Sequence, residues 1–264
     1  MDLQLNGKRA LVTGSSAGIG FAIAAALARE GAAVVINGRS ASRLEESAKK
    51  LRASGAKGEI IASAIDLSTQ TGVDALLKQI PEVDILVNNL GIYEPKPFDQ
   101  ITDADWLKIF EVNVMSGIRL SRAYLPKMKQ KNWGRIIFIS SESAVNIPAE
   151  MIHYGMTKTA QLAISRGLAE TTAGTGVTVN SVLPGPTRSE GVEQFMESMA
   201  KAEGKDVAQA EKEFFKTVRP SSLLKRFATP DEVAALVAFV ASPLSSATNG
   251  AALRVDGGVV RSIV

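Results

Sequence analysis

Short, largely apolar runs alternate along the whole chain with longer stretches of amphipathic or alanine-rich character. Residues 8–13 (KRALVT) are the first run, of strand length and too short for a helix. They lead into a glycine-rich turn at 14–20 (GSSAGIG) and an alanine-rich helix reaching Glu30, with Gly31 as its stop. Residues 33–37 (AVVIN) make a second strand without charge, as expected in a parallel sheet covered on both faces. The pattern repeats, with helices expected at 42–54, 69–80, 102–128 and 154–173. Strands are expected at 59–64, 84–88, 135–140 and 177–183. A polar, methionine-containing excursion over 184–229 interrupts the alternation. The last helix begins at Pro230 with Thr229 as its cap, and a final strand at 251–255 precedes Asp256-Gly257-Gly258. Strands alternating with helices predict one α/β domain over 1–264: a doubly wound parallel sheet of about seven strands with helices on both faces.

Composition narrows the function. Hydrophobic residues are 45% and charged residues 22% of the 264, ordinary values for a globular chain with a large core. No apolar run approaches the ~20 residues needed to span a bilayer. The opening MDLQLNGKR lacks the layout of a signal peptide, so the cytoplasm is the expected location and no membrane partner is expected. Without cysteine there is no disulfide, thiol nucleophile or thiolate metal site. A single histidine, His153, rules out multi-histidine metal sites and argues against a Ser-His hydrolase, so no metal is expected. The net charge of +3 comes from basic residues spread along the chain, which suits a small anionic ligand better than nucleic acid.

Candidate chemistry centres on residues 141–158 (SESAVNIPAEMIHYGMTK). Tyr154 and Lys158 are four residues apart and share one helical face. A phenol titrates near pH ~10, and an ammonium beside it favours the phenolate, giving a proton donor and acceptor for a carbonyl/alcohol pair. Such a pair alone is more often a half-buried ring with a solvated amine. The turn at 14–20 has three residues between its first two glycines, one more than GxGxxG, and it too lets backbone approach a pyrophosphate at a helix N-terminus. An S-adenosylmethionine site is the competing reading of that loop. The second strand ends in Asn37-Gly38-Arg39-Ser40, with no acid for a ribose and one guanidinium suited to a 2′-phosphate. That favours NADP(H), with NAD(H) second; otherwise Arg39 is a solvated strand-end residue.

In this order and context, the motifs resemble those of the short-chain dehydrogenase/reductase family over essentially the whole chain, close to 3-oxoacyl-carrier-protein reductase-like members. The matching residues are TGSSAGIG at 13–20, Asp66, NNLG at 88–91, Asn113, Ser141, YGMTK at 154–158, Asn180 and PGPT at 184–187. The resemblance implies a Rossmann-type fold and hydride transfer between NADP(H) and a carbonyl or secondary alcohol. It implies that Tyr154 is the acid/base, that Lys158 lowers its pKa and holds the nicotinamide ribose, and that Ser141 polarises the carbonyl. Asn113, inside the long helix, would bind a water linking Lys158 to solvent. Asp66 would meet the adenine, Asn89 the adenosine side, and Thr187 the carboxamide through its backbone. Gly14, Ser15, Ser16, Gly18, Ile19, Gly20, Leu67, Gly91 and Pro184 complete the implied cofactor contacts.

Some positions depart from the pattern or leave it open. Leu90 stands where the family usually has alanine, so it must point away from the cofactor or reshape its pocket. Glu142 and Glu150 flank the site, either to bind a polar substrate or, more commonly, as solvated or salt-bridged acids. His153 is ~100° round the helix from Tyr154 and is expected to line the cleft or cap the helix. Within a lid expected at 189–226, Val192, Phe195, Met196 and Met199 form an apolar stripe, and the charged stretch 201–219 suggests a mobile helix pair. Met156, Ala160, Ala163, Ile164 and Gly167 make a small-residue stripe, and the family pairs this helix between subunits, so a homotetramer or homodimer is expected. The substrate stays open among 3-oxoacyl thioesters, sugars, steroids and small ketones. A non-catalytic nucleotide-binding scaffold is the alternative function, against which the set Asn113, Ser141, Tyr154 and Lys158 argues.

Overall fold

The computed structural model of the chain describes residues 2–263, apart from the side chains of residues 194, 195, 202 and 203. In order the elements are β1 (Arg9–Val12), α1 (Gly18–Arg29), β2 (Ala33–Gly38), α2 (Ala41–Ala53), β3 (Ile60–Ala64), α3 (Gln70–Gln79), β4 (Ile85–Asn88) and α4 (Asp103–Phe110). There follow α5 (Ser116–Gln130), β5 (Gly134–Ile139), α6 (Ile152–Glu170), β6 (Val177–Pro184), α7 (Glu190–Glu203), α8 (Val207–Thr217), α9 (Pro230–Ala241) and β7 (Ala252–Val255). The seven strands form one sheet in the order β3-β2-β1-β4-β5-β6-β7, with every pairing parallel. The chain winds outward from β1 to β3, then returns to the other side of β1 as β4. That reversal opens a crevice at the carboxyl ends of β1 and β4, where such sheets bind ligands.

The uncharged strand sequences follow from burial on both faces. Successive side chains alternate: Val12, Val34, Ile36, Val87, Ile137 and Val182 join a core under α1, α2 and α9. Leu11, Val35, Leu86, Ile136, Phe138 and Val179 join a second core under α3 and α5. Arg135 is the exception within β5. Its guanidinium is buried but satisfied by the carbonyls of Gly134, Gly176 and Ser242 at 2.8, 3.0 and 3.2 Å. Asn180 ties β6 to the approach of β7, donating to the Thr248 carbonyl at 2.8 Å and accepting from the Ala251 N–H at 3.0 Å.

Most element ends fall within one residue of the sequence expectation, but three regions differ. The helix expected over 102–128 is interrupted: a π-helical turn, Glu111–Met115, separates α4 from α5. The helix expected to open at Tyr154 starts two residues earlier, after a 3-10 turn at Ala149–Met151, and stops at Glu170. The excursion forms α7 and α8, whose Met196, Ala200, Ala210 and Phe215 pack with Phe227 into a small third core. Met196 of the expected stripe is thus buried, Val192 and Met199 lean on it, and the Phe195 side chain lies outside the described residues. Among the described residues no helix is long and apolar enough to cross a membrane, and no group of three or more acidic or histidine side chains could hold a metal ion.

The start of α9 is fixed as expected. Thr229 accepts the Glu232 N–H at 3.2 Å, and Glu232 accepts the Thr229 N–H at 2.8 Å, a reciprocal capping box. Because α9 packs on α1 and adds Val233, Val237 and Val240 to the first core, Thr229→Ala should destabilise the protein by about 1 kcal/mol and lower its melting temperature by about 2–4 °C. Thermal denaturation followed by circular dichroism checks this, with Thr229→Ser expected to keep most of the stability.

Candidate active site

The crevice is held open by polar groups buried at the strand ends. Thr13, at the end of β1, accepts the N–H groups of Asn89 and Leu90 at 2.9 Å each and donates to the Val87 carbonyl at 3.3 Å. Ser15 is buried: its N–H donates to the Asn37 carbonyl at 2.8 Å, and its hydroxyl accepts the Asn37 N–H at 2.9 Å and donates to the Val12 carbonyl at 2.7 Å. The Asn89 amide donates to the carbonyls of Thr13 and Gly14 at 2.9 and 3.0 Å. Ser15 and Asn89, expected as direct cofactor contacts, therefore brace the glycine loop with their polar groups. Gly14 has φ +60°, and a Cβ on Gly20 would lie 2.5 Å from both the Asn89 amide nitrogen and the Gly14 carbonyl oxygen. The tight loop has room for hydrogen only.

The loop delivers the chain into α1 without a cap. Ala17 sits at the capping position in extended conformation and has no side-chain acceptor. The helices α2, α3, α4, α7, α8 and α9 are capped by Ser40, Thr69, Thr102, Ser189, Asp206 and Thr229. The first-turn N–H groups at Gly18 and Ile19 thus have no side-chain cap, the arrangement in which a helix N-terminus suits an anion. Ser16 stands beside Gly38 at the end of β2, and the next residue, Arg39, is exposed. At the end of β3, Asp66 accepts from the N–H and hydroxyl of Ser68 at 3.0 and 2.7 Å. These bonds, with the Arg39 charge, hold its carboxyl below the usual range. The Leu67 side chain is buried in the second core, which leaves only its backbone for the crevice.

A cavity of about 670 Å³ brings together Ile19, Asn89, Gly91, Ser141, Tyr154, Lys158, Pro184 and Thr187 from the expected set. A second hollow, about 810 Å³, lies by the C-terminal segment and holds none of them. Tyr154 is partly buried with its ring edge-on to Tyr93, centroids 6.2 Å apart. The Lys158 amine lies 5.5 Å from the Tyr154 ring centre and donates to the Ile139 carbonyl at 2.9 Å. Burial pushes the Tyr154 phenol up to about 12, against a smaller downward pull from the Ser141 hydroxyl. Burial likewise pushes the Lys158 amine down to about 7. Desolvation is thus the largest influence on the phenol.

Asn113 lies behind the cavity in the π turn. Its side chain accepts the Ile92 N–H at 2.7 Å and donates to the Ile92 carbonyl at 2.9 Å and the Thr157 hydroxyl at 3.1 Å. Its main-chain carbonyl accepts from the Gln161 amide at 2.6 Å, and the Gln161 oxygen faces the Lys158 amine at 3.4 Å. The Gln161 side-chain amide thus joins the Asn113 carbonyl to the Lys158 amine. A π turn frees a carbonyl from the helical ladder, and Gln161, on the same face of α6 as Lys158, donates to it.

Other expectations resolve individually. Leu90 leans on the second core and flanks Gly14, away from the cavity. His153 neither lines the cleft nor caps the helix; it is buried edge-on to Trp106, ring centres 5.8 Å apart, and burial lowers its pKa. Glu142 is buried and salt-bridged to Arg219 at 2.9 Å, while Glu150 receives the same guanidinium at 3.4 Å. Arg219 and Tyr93 line the cavity without having been singled out by sequence. Gln161 had a local signal, three residues after Lys158; Arg219 had none.

The fold and site define a nucleotide-binding α/β protein with a Ser-Tyr-Lys cluster in its crevice. The short chain dehydrogenase family model matches residues 8–200. The chain is 52% identical over 263 residues to the uncharacterized oxidoreductase YvaG of Bacillus subtilis, covering all of both proteins. It is 35% identical to D-beta-hydroxybutyrate dehydrogenase of Cupriavidus necator, over 97% of this chain and 99% of that one. The crystal structure of L-sorbose reductase from Gluconobacter frateurii, complexed with NADPH and L-sorbose, superposes with a TM-score of 0.93 at 32% identity, covering all of both chains. The chain belongs to the short-chain dehydrogenase/reductase family of oxidoreductases.

Burial of Lys158 has a thermodynamic signature. An amine that titrates near pH 7 when folded and 10.5 when exposed binds fewer protons folded than unfolded across that window. Its contribution to stability therefore rises with pH from about 7 toward 10.5. In urea denaturation, any advantage of Lys158→Met over wild type should be largest near pH ~6 and shrink toward pH ~10. A difference constant with pH would contradict a desolvated amine.

Proposed function

We propose that the chain is an NADP(H)-preferring reductase of carbonyl compounds, or dehydrogenase of the matching secondary alcohols. The observation that carries this reading is that Ser141, Tyr154 and Lys158 meet in one cavity with Ile19, at the uncapped N-terminus of α1. The residues fit a nicotinamide dinucleotide. The N–H groups at Gly18 and Ile19 would hold the pyrophosphate, with Gly14, Ser16 and Gly20 keeping the backbone close. Arg39 would hold the 2′-phosphate, Asp66 and the Leu67 backbone the adenine, Gly91 and Lys158 the nicotinamide ribose, and Pro184 and Thr187 the carboxamide end. Ser15, Asn89 and Asn113 would act through the loop and through Lys158.

When bound, the cofactor supplies or accepts the hydride. The Ser141 hydroxyl donates a hydrogen bond to the substrate oxygen as negative charge develops there. Tyr154 gives its proton to that oxygen in reduction and takes it back in oxidation; a phenol kept protonated by burial is ready for the first role. The Lys158 amine, once charged, favours the phenolate left behind. Arg39 is exposed at the end of β2, where its guanidinium could receive a phosphate. The segment 189–226 would serve as the lid, since Ser189, Val192, Phe214 and Arg219 form one wall of the cavity. The partly exposed stripe of Met156, Ala160, Ala163, Ile164 and Gly167 on α6 would pair subunits in a homotetramer or homodimer.

Tyr154→Phe keeps the ring and removes the proton, so turnover should fall ~10²–10⁴-fold while NADPH binding changes little. A variant that keeps most of its activity would exclude Tyr154 as the acid. Arg39→Ala should weaken NADPH at least about tenfold, because a charge-assisted bond is worth ~1.5–3 kcal/mol, and should leave NADH nearly unchanged. The ratio of kcat/KM for the two cofactors reads this directly. An unchanged ratio, or a wild-type preference for NADH, would remove the NADP(H) assignment.

A further inference from the structure

A buried glutamine lies behind the Ser-Tyr-Lys cluster and belongs to none of the motifs read along the chain. Gln161 follows Lys158 by three residues on α6, so the two side chains share a face. Gln161 is 2% exposed, Lys158 5% and Asn113 1%. An amide is costly to bury unless both its ends are paired, and here both are. The Asn113 main-chain carbonyl takes the Gln161 Nε2 at 2.6 Å. That contact decides which way the amide faces, because only its nitrogen can donate. The oxygen is therefore turned toward the Lys158 amine, 3.4 Å away. Asn113 is itself fixed, its side chain bonded to Ile92 and Thr157.

Among the described residues the Lys158 amine donates to two oxygens, Gln161 Oε1 and the main-chain oxygen of Ile139 at 2.9 Å. Each turns the negative end of a dipole toward the amine, and bonds of that kind favour its charged form. Burial acts the other way. The charged groups on the cavity wall bear on Tyr154: Glu142 favours the protonated phenol, as does Tyr93, and Arg219 favours the phenolate. An ammonium has three N–H groups, so with two engaged on the protein side one remains for the cavity. The Ile139 oxygen is main chain and survives any substitution; Gln161 supplies the acceptor that a side-chain change removes. From this geometry, and resting on the reductase reading above, we propose that Gln161 is a positioning residue for the reaction: its amide, locked by the Asn113 carbonyl, holds the Lys158 amine in place and keeps it charged beside Tyr154. Without that acceptor the phenolate formed at Tyr154 has a weaker counter-charge.

The contact is tested first without substrate, by a double-mutant cycle on stability. Gln161→Met, Lys158→Met and the double variant are compared with wild type in urea at pH ~6 and pH ~10. Loss of the Asn113 bond is common to both Gln161 arms and cancels. The coupling should be about tenfold in the unfolding constant at pH ~6, where the amine is charged, and should shrink at pH ~10, where it is neutral. A glutamine that only ties α6 to the π turn gives no coupling at either pH, and that result overturns the inference. The role in the reaction is read from pH profiles of the oxidation of 2-butanol and cyclohexanol with NADP+. Oxidation needs the phenolate, so its rate rises with pH. Gln161→Met should move that rise upward by about one pH unit, a loss of about tenfold on the acid side. An equal loss at every pH, or none, with wild type active, overturns the inference and leaves the reductase reading standing. A wild type that oxidises neither alcohol and reduces neither butanone nor cyclohexanone, with either cofactor, counts against the reductase reading instead, and the stability cycle then decides the inference. Should Gln161→Met fail to fold, Gln161→Leu takes its place in both measurements.

Discussion

The buried hydroxyl of Thr13 joins the two strand ends between which the crevice opens, and the rest of the site depends on that junction. It accepts two N–H groups from the β4 exit and donates to the β4 strand itself. Ser15 exchanges two bonds with the Asn37 backbone of β2 while its hydroxyl donates back to Val12 of β1, and the Asn89 amide closes the set. Buried polar groups of this kind are costly when unpaired and rigid when paired. Here all three are paired. Ser15 thus ties the loop to both β1 and β2, so the glycine loop is pinned from inside the protein. The first turn of α1 is left with N–H groups that no protein side chain satisfies.

A second constraint lies behind the reacting side chains. Lys158 sits in a dry place, which favours its neutral form and raises the phenol of Tyr154 in the same way. The π turn at Glu111–Met115 exposes the Asn113 carbonyl, and Gln161 links that carbonyl to Lys158. The lysine is therefore oriented by a chain of fixed groups, the Ile139 carbonyl, Gln161 and Asn113, before any ligand approaches. Orientation of this sort reduces the reorganisation needed in the reacting complex.

The substrate wall is assembled differently. Ser141 and Glu142 come from the end of β5, Tyr93 from the exit of β4, and Arg219 from the turn after α8, 77 residues beyond Glu142. The small core of Met196, Ala200, Ala210, Phe215 and Phe227 gives α7 and α8 a packing centre separate from the two cores of the sheet. Arg219 connects that unit to the body through the pair it makes with Glu142.

The alternation of uncharged strands and longer helices was legible in the sequence because a parallel sheet must be apolar on both faces, as Leu11 and Val12 show by entering opposite cores. The cap of the last helix was legible for a similarly local reason: Thr229 caps it before Pro230, and Glu232 completes a box with it. The proximity of Tyr154 and Lys158 required only four residues of helix. What the sequence left undecided were contacts between distant segments. The interruption at Asn113 depends on partners at Ile92, Thr157 and Gln161, none of which is near it in the chain. Ser15 and Asn89 belonged to recognisable motifs, yet their work as braces is set by Asn37 and Gly14 across the loop. Protonation was also a tertiary matter, since the titration of Lys158 follows from how deeply α6 packs and not from its spacing to Tyr154. Local sequence determined the elements and the reacting pair; burial and long-range hydrogen bonds, which exist only once the chain has folded, decided the charges those residues carry and the groups they face.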